Sequence, residues 1–206
     1  MADFTAYLRE LQKILGELPL ERLKAICDVL LKAYEENRKV FVFGNGGSAA
    51  LASHIACDLG KGTQDQGPEL RGARTGRRFK VLSLTDNVPL ITAWANDASY
   101  EDVFAEQMEN FVEHDDVVFA ISSSGNSPNI LKALRRAKDK GAICVGLTGS
   151  SGGKMKDLLD HGVAVPSFHM QQVEDVHLIL AHLIFLDLRT RMMALNSVSH
   201  PASVHS

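Results

Sequence analysis

The sequence predicts an α/β domain of three layers, αβα: a five-stranded parallel sheet between helices, with two extra helices ahead of the first strand and one long helix at the end. Three observations lead there. Short runs rich in Val, Ile and Phe alternate with longer amphipathic stretches across residues 39–193. The runs are nearly all apolar, as strands covered on both faces must be. Most are followed by Gly- or Ser-rich turns that open helices, the pattern of repeated βα units.

Residues 4–18 bring Leu8, Leu11, Ile14 and Leu15 to one face, and residues 20–37 do the same with Leu23, Ile26, Leu30, Leu31 and Tyr34, which gives two amphipathic helices. A minimal βαβ domain does not need them, so their apolar faces serve either its own sheet or another subunit. Residues 39–43 form the first strand, Gly44-Asn45-Gly46-Gly47-Ser48 a tight turn, and residues 49–59 a helix without proline. Residues 60–78 are polar and Gly-rich with five basic side chains, which suits either a solvated excursion or a lid bringing Lys or Arg to an anionic ligand. The second strand spans 79–84. Thr85-Asp86-Asn87 turns the chain and caps a helix through Trp94, Asn96 to Tyr100 follow, and an amphipathic segment runs to about Val112. The third strand is 116–121. After it come Ser122-Ser123-Ser124-Gly125-Asn126-Ser127 and a helix over 129–140, with Pro128 suited to its first turn. A fourth strand (142–147), a Gly/Ser turn (148–153), a short helix (154–159), a fifth strand (162–165) and a long helix (171–193) complete the series. The expected organisation is a single domain over 1–195, with helices in 4–37 and the αβα core in 39–193, then a disordered tail over 196–206.

With 206 residues, 45% apolar and 23% charged, the chain fits one sizeable globular core and neither a disordered nor a membrane protein. Its formal charge of −3 gives no electrostatic reason to expect a nucleic-acid surface. Cys27, Cys57 and Cys144 stand in apolar contexts without C-x-x-C spacing, which predicts buried free thiols in a reducing cytosol. No apolar run approaches the roughly 18 residues of a spanning helix and no secretion signal opens the chain, so no membrane association and a cytoplasmic location are expected.

The chemistry gathers in two places. Strands one and three both end in donor-rich turns that open helices. Glycines there allow close backbone approach, and the free N–H groups of a helix start favour an anion. SSSGNS adds four hydroxyls, and the two turns at one sheet edge suit a phosphate monoester. Each turn alone equally fits a plain strand-to-helix connection. GNGGS is neither a Walker A loop nor G-x-G-x-x-G, so nucleotide binding does not follow. The second place is a set of four residues. His54 and Asp58, four apart, share a helix face, and Glu174 and His182 lie on the final helix. Two histidines and two carboxylates are a ligand set for zinc or a related divalent ion. Eight residues of helix rise about 12 Å, so one ion reaches both Glu174 and His182 only if Glu174 sits at an irregular helix start or the two come from different subunits. His177 is a rival partner for Glu174 three residues on. Taken singly, each histidine also fits a satisfied helix residue.

These residues together carry a family likeness. GNGGS before a helix with His54, Asn96-Asp97, SSSGNS, LTGSSGGKM over 147–155 and the helix bearing His182 resemble the sugar isomerase (SIS) fold, a flavodoxin-like arrangement, and within it the phosphoheptose isomerases. The likeness runs over residues 4–193. It implies a homotetramer with active sites between subunits, interconverting sedoheptulose 7-phosphate and D-glycero-D-manno-heptose 7-phosphate. Position by position, it implies that Asn45, Gly46, Gly47, Asn96, Asp97, Ser122, Ser123, Ser124 and Ser127 hold the sugar phosphate. His54 matches a family metal-ligand histidine and His182 the catalytic histidine.

Two positions depart from the family. Its catalytic glutamate falls on Asp58, and its glutamine falls on Glu174, which remains a candidate for substrate as well as for metal. An aldose–ketose interconversion needs a base for a carbon-bound proton and an acid for the oxygen. Asp58 is the expected base and His182 the expected acid, with a divalent ion, expected to be zinc, among His54, Asp58, Glu174 and His182. Two carboxylates near a phosphorylated substrate repel, and a cation relieves this. The competing account pairs Glu174 with a basic residue of the 60–78 loop and leaves the histidines to hydrogen-bond substrate. That loop also looks longer than the family's connection, which points to a related heptose or octose phosphate. The rival functional class is a non-catalytic SIS module, a sugar-phosphate sensor or a protein-binding adapter. Such a module needs the phosphate turns but not His54, Asp58 and His182.

Overall fold

Alternation along the strands decides which helices lie on which face. The structure, a computed structural model, describes residues 3–63 and 78–199. Its strands are β1 (Lys39–Gly44), β2 (Lys80–Ser83), β3 (Val117–Ser122), β4 (Ile143–Thr148) and β5 (His161–Ala164). All neighbouring pairs are parallel and the order is β2-β1-β3-β4-β5. Val40 and Val42 of β1, Val117, Phe119 and Ile121 of β3, and Val145 and Leu147 of β4 join one core, which is shared with α1 (Phe4–Gly16), α2 (Leu20–Glu35), α3 (Gly47–Cys57) and α7 (Met170–Ser199). Phe41, Phe43, Val118, Ala120 and Cys144 point the other way, into a core shared with α5 (Ala105–Phe111) and α6 (Pro128–Asp139). Ile91, Trp94 and Ala95 of α4 (Val88–Asp97) pack against this second core. The five-stranded three-layer architecture is the one the alternating pattern predicts.

Several boundaries differ from the sequence expectation. Helix α4 continues through Asp97, so Asn96 and Asp97 sit in its last turn instead of a following loop; nothing after Pro89 in VPLITAWAND breaks a helix. Helix α7 runs through Ser199, so residues 196–199 are helical and not part of a tail. The first breaker there is Pro201, and residues 200–206 lie outside the described residues. Between α3 and the polar stretch, Asp58–Gly62 forms a π-helical turn. A Cβ on Gly62 would lie 2.7 Å from the Phe185 ring, so α7 packs directly on this turn. The loop expected over 60–78 therefore begins later, and its residues 64–77 lie outside the described residues. Cys27 and Cys144 are buried free thiols, both pushed up to about 12 by burial, whereas Cys57 is exposed. Period and context made Cys57 look internal, but it sits at the end of α3 where the helix face turns outward. No helix of the described residues is long and apolar enough to cross a membrane.

The turn after β3 is braced from behind. Gly125 (φ +62°) and Gly153 (φ +54°) cross so closely that a Cβ on Gly125 would lie 2.1 Å from the Gly152 carbonyl oxygen, and one on Gly153 2.5 Å from that of Gly125. Only glycine fits such a crossing. Met155 N donates to the Gly125 carbonyl at 2.9 Å and Gly149 N to that of Ser123 at 2.9 Å. The serine turn is thus set by the turn that follows β4.

Helix α7 is tied to the same sheet edge through His177. This residue is 1% exposed, and its Nε2 donates to the Thr148 carbonyl at the end of β4, 3.1 Å away. Burial lowers its pKa from the ordinary 6.5 to about 4. The unfolded chain takes up this proton near pH 6.5 and the folded chain only near pH 4, so the stability from the neutral ring is complete above about pH 6.5 and is lost as the pH falls toward 4. The loss amounts to roughly 3 kcal/mol in all. Denaturant unfolding at pH 7 and pH 4.5 should show the parent losing about 2 kcal/mol more than His177→Gln. Equal losses in the two proteins would remove His177 as the source.

Candidate active site

The order 2-1-3-4-5 reverses direction between β1 and β3, and the carboxyl ends flanking such a reversal are where doubly wound sheets bind ligands. GNGGS leaves β1 and SSSGNS leaves β3 at this place. Gly46 (φ 55°, ψ −122°) takes a backbone conformation closed to side-chain-bearing residues and starts α3 at Gly47. Asn45 does not reach into open space. It exchanges two hydrogen bonds with Asn129, at 2.9 and 2.8 Å, and accepts a third from the Tyr100 hydroxyl at 3.2 Å.

On the other turn, Ser122 is buried and its hydroxyl lies 3.5 Å from that of Ser127, while the Ser124 hydroxyl accepts from Asn126 N at 3.2 Å. Ser127 is the N-cap of α6 but its side chain does not cap the helix. Pro128 has no N–H and Ile130 N is held by the Asn129 side-chain oxygen at 3.0 Å, so the backbone donor this first turn leaves for an anion is the Asn129 N–H, beside the serine hydroxyls. Asn96 and Asp97, both exposed, hydrogen-bond each other at 2.8 Å.

The second constellation is partly assembled. His54 Nε2 lies 3.0 Å from His182 Nε2 and 3.2 Å from Asp58 Oδ2, and the ligand atoms of the three residues all fall within 4.8 Å of one another. Helix α3 and the π-helical turn carry His54 and Asp58, and α7 crosses them with His182. His54 and His182 are exposed and Asp58 partly so. Two imidazoles and one carboxylate converging on an open side fit the three-ligand pattern of catalytic zinc sites.

Glu174 is not in this cluster, which corrects the four-ligand expectation for a single chain. The helix rise separates it from His182, as its spacing requires. Its carboxylate instead stands beside Gly47, where a Cβ would lie 3.0 Å from both oxygens. That is the positive end of α3, which favours a carboxylate. His177, the rival partner, is committed to Thr148. Glu174, His177, His54, Gly47 and Ser48 line one cavity of about 280 Å³ between α3 and α7.

Three residues at this edge escaped sequence reasoning. Asn129 was read only as part of a helix, although a buried asparagine next to a serine turn needs a polar partner; Asn45 supplies it. The sequence marks Asp86 only as part of a turn and Tyr100 only as the end of a connecting stretch. Asp86 accepts from the Ser53 hydroxyl on α3, and the Thr85 hydroxyl donates to the Ala49 carbonyl at 3.2 Å, so the end of β2 steadies α3.

A family model described as "SIS domain" matches residues 3–149, from α1 through both ligand turns. A phosphoheptose isomerase of Helicobacter pylori (strain P12) is 38% identical over 182 residues, 88% of this chain and 90% of the relative. That of Aneurinibacillus thermoaerophilus is 37% identical over 174 residues, 84% of this chain and 83% of the relative. Among solved structures, the phosphoheptose isomerase of Neisseria gonorrhoeae superposes with a TM-score of 0.80 at 26% identity, covering 90% of this chain and 96% of the other. Identity at this level over more than four-fifths of the chain goes beyond a shared fold: the chain belongs to the SIS domain family and, within it, to the phosphoheptose isomerases.

Proposed function

We propose that the protein interconverts sedoheptulose 7-phosphate and D-glycero-D-manno-heptose 7-phosphate, with its catalytic groups where His54, Asp58 and His182 meet. The observation that carries this reading is their convergence, with the three ligand atoms within 4.8 Å, beside a switch point built for an anion. The relatives' shared name supplies the substrate. A sensor or adapter of the same fold would not need the triad.

In the reaction the phosphate lies at the start of α6 among Ser122, Ser123, Ser124 and Ser127, with Asn96 and Asp97 along the sugar and Asn45, Gly46 and Gly47 at the other turn. Asp58 takes a proton from C1 of the ketose. The C1–H electron pair becomes the C1=C2 bond of an enediol, and His182 gives a proton to the oxygen on C2 as its double bond opens. Return of a proton to C2 and loss of one from the oxygen on C1 completes the aldose, so no external reductant is needed. Only one oxygen of Asp58 faces His54, which leaves the other for the proton on carbon.

The donor set fits a divalent ion, and zinc is the ion proposed, held by His54, Asp58 and His182, with Glu174 left to the substrate; with Nε2 of His182 on such an ion, the proton His182 gives would come from Nδ1. Such an ion would stabilise negative charge on the sugar oxygens. A homotetramer in the cytoplasm, with a second copy closing each site, accords with the exposure of His54 and His182 and of Leu178, Leu183 and Leu186 on α7.

Three measurements test this. Asp58→Asn and His182→Ala should each lower turnover of sedoheptulose 7-phosphate by about 10² or more with the thermal midpoint unchanged; near-parental turnover in both would reject their roles. Ser122→Ala combined with Ser124→Ala should weaken sugar-phosphate binding about tenfold in calorimetry, because donors to an anion are charge-assisted. Affinity equal to the parent's would move the phosphate elsewhere. Elemental analysis of untagged protein should find stoichiometric zinc, lost in His54→Ala and kept in Glu174→Gln, whereas metal-free protein with full activity in chelator would dismiss the ion.

A further inference from the structure

Asn129 touches both ligand turns at once. It is 2% exposed, and its side-chain oxygen accepts the backbone N–H of Ile130 at 3.0 Å. A backbone N–H only donates, so this bond fixes which end of the Asn129 amide is the oxygen. The Asn45 atom 2.9 Å from that oxygen must then be the Asn45 nitrogen, and the atom 2.8 Å from Asn129 Nδ2 must be the Asn45 oxygen. The Tyr100 hydroxyl donates to the same Asn45 oxygen at 3.2 Å. A backbone N–H of α6 thus dictates, through Asn129, how the Asn45 amide is turned.

An amide oxygen has two lone pairs and an amide nitrogen two hydrogens. On Asn45 both lone pairs are taken, by Asn129 and Tyr100, and one hydrogen is taken, by Asn129. What Asn45 keeps for a ligand is one N–H, and the residue is partly exposed on the turn after β1. A freely rotating asparagine meets a sugar hydroxyl with either end of its amide. Held by Asn129, it meets one with a donor alone.

We infer that Asn129 is a positioning residue for the isomerisation, holding Asn45 so that its remaining Nδ2 hydrogen goes to an oxygen of the bound sugar phosphate. The inference rests on the isomerase reading above and adds a residue that touches no reacting atom. The backbone N–H of Asn129 is also the donor left for an anion in the first turn of α6. One residue therefore supplies a donor at the α6 turn and orients the donor on the turn after β1.

A double-mutant cycle with sedoheptulose 7-phosphate separates this role from a structural one. Asn45→Ala should lower kcat/KM about tenfold, the loss of one hydrogen bond to the substrate. Asn129→Ala keeps the backbone N–H of residue 129 but frees the Asn45 amide, and should lower kcat/KM about fivefold. The double variant should be no worse than Asn45→Ala, because Asn129 then has nothing left to position. Single effects that multiply, to about fiftyfold, belong to a residue acting independently of Asn45 and overturn the inference. Asn129→Ala at the parental kcat/KM overturns it too. In the unaltered protein labelled with 15N, where no variant has to fold, saturation with the sugar phosphate should shift one side-chain amide hydrogen of Asn45 downfield. The hydrogen held by Asn129 should stay nearly in place. Neither hydrogen moving, or both moving alike, overturns the inference whatever the variants do. A parent that turns over no ketose 7-phosphate overturns the isomerase reading and this inference with it, whereas an active parent with independent Asn45 and Asn129 effects overturns the inference alone.

Discussion

The pairing of β1 with β3 fixes everything at the ligand edge, and it is clamped at both ends. At the amino ends Asp116, 1% exposed, accepts Lys39 N at 2.8 Å through one oxygen and Glu113 N at 2.9 Å through the other. At the carboxyl ends Asn45 and Asn129 exchange their amide hydrogen bonds. Between the clamps the register runs from Val40 opposite Val117 to Gly44 opposite Ile121. A slip by one residue would turn Phe41 and Phe43 out of one core and Val40 and Val42 out of the other. With this register the two turns leave the sheet side by side, and the starts of α3 and α6 become neighbours.

From that placement the meeting of His54, Asp58 and His182 follows. Helix α3 leaves Gly47 with its direction already set, and it is steadied by Thr85 on the Ala49 carbonyl and by Asp86 on Ser53. One face of it then presents His54, and the π-helical turn presents Asp58 four residues later. Helix α7 is held to the sheet through His177 on Thr148 and to the turn ending α3 through Phe185 against Gly62. These contacts bring His182 Nε2 to 3.0 Å from His54 Nε2. Two imidazole nitrogens at that distance need a proton or a cation between them, since two lone pairs would repel.

The layers, the strands and the two turns were legible in the sequence because apolar periodicity and Gly/Ser punctuation are local signals. Residues 117–122, all buried in the structure, read as a strand covered on both sides for that reason. The pairing of His54 with Asp58 was legible too, from helical spacing. What stayed hidden depends on how elements meet. The Asn45–Asn129 exchange joins residues 84 apart, and no periodicity announces it. The π-helical turn at Asp58 has Phe185 packed on its Gly62, a tertiary contact that no local pattern marks. Cys57 read as internal because its neighbours are apolar, yet the direction of the helix face decided its exposure.

Glu174 shows how charge sorts the two helix starts. Both offer N–H groups to an anion, and the two turns taken from sequence are equivalent in that respect. In the fold they are not. The start of α3 already faces the Glu174 carboxylate, whose negative charge opposes a second anion there. At the start of α6 the N-cap Ser127 makes no cap bond and no carboxylate stands there among the described residues; Asn129 Oδ1 holds Ile130 N, and Ser122, Ser124 and Ser127 share the turn. On the proposed reading a phosphate is drawn to α6 for that reason, and the rest of the sugar lies toward α3. His54 stands seven residues beyond Gly47, about 10 Å along the helix, so the carbon that loses its proton has to be remote from the phosphate along the chain. A 7-phosphate with its carbonyl at C2 has that separation. On the proposed reading, the carboxylate that departs from the family's glutamine helps set the substrate's direction by closing the alternative anion site.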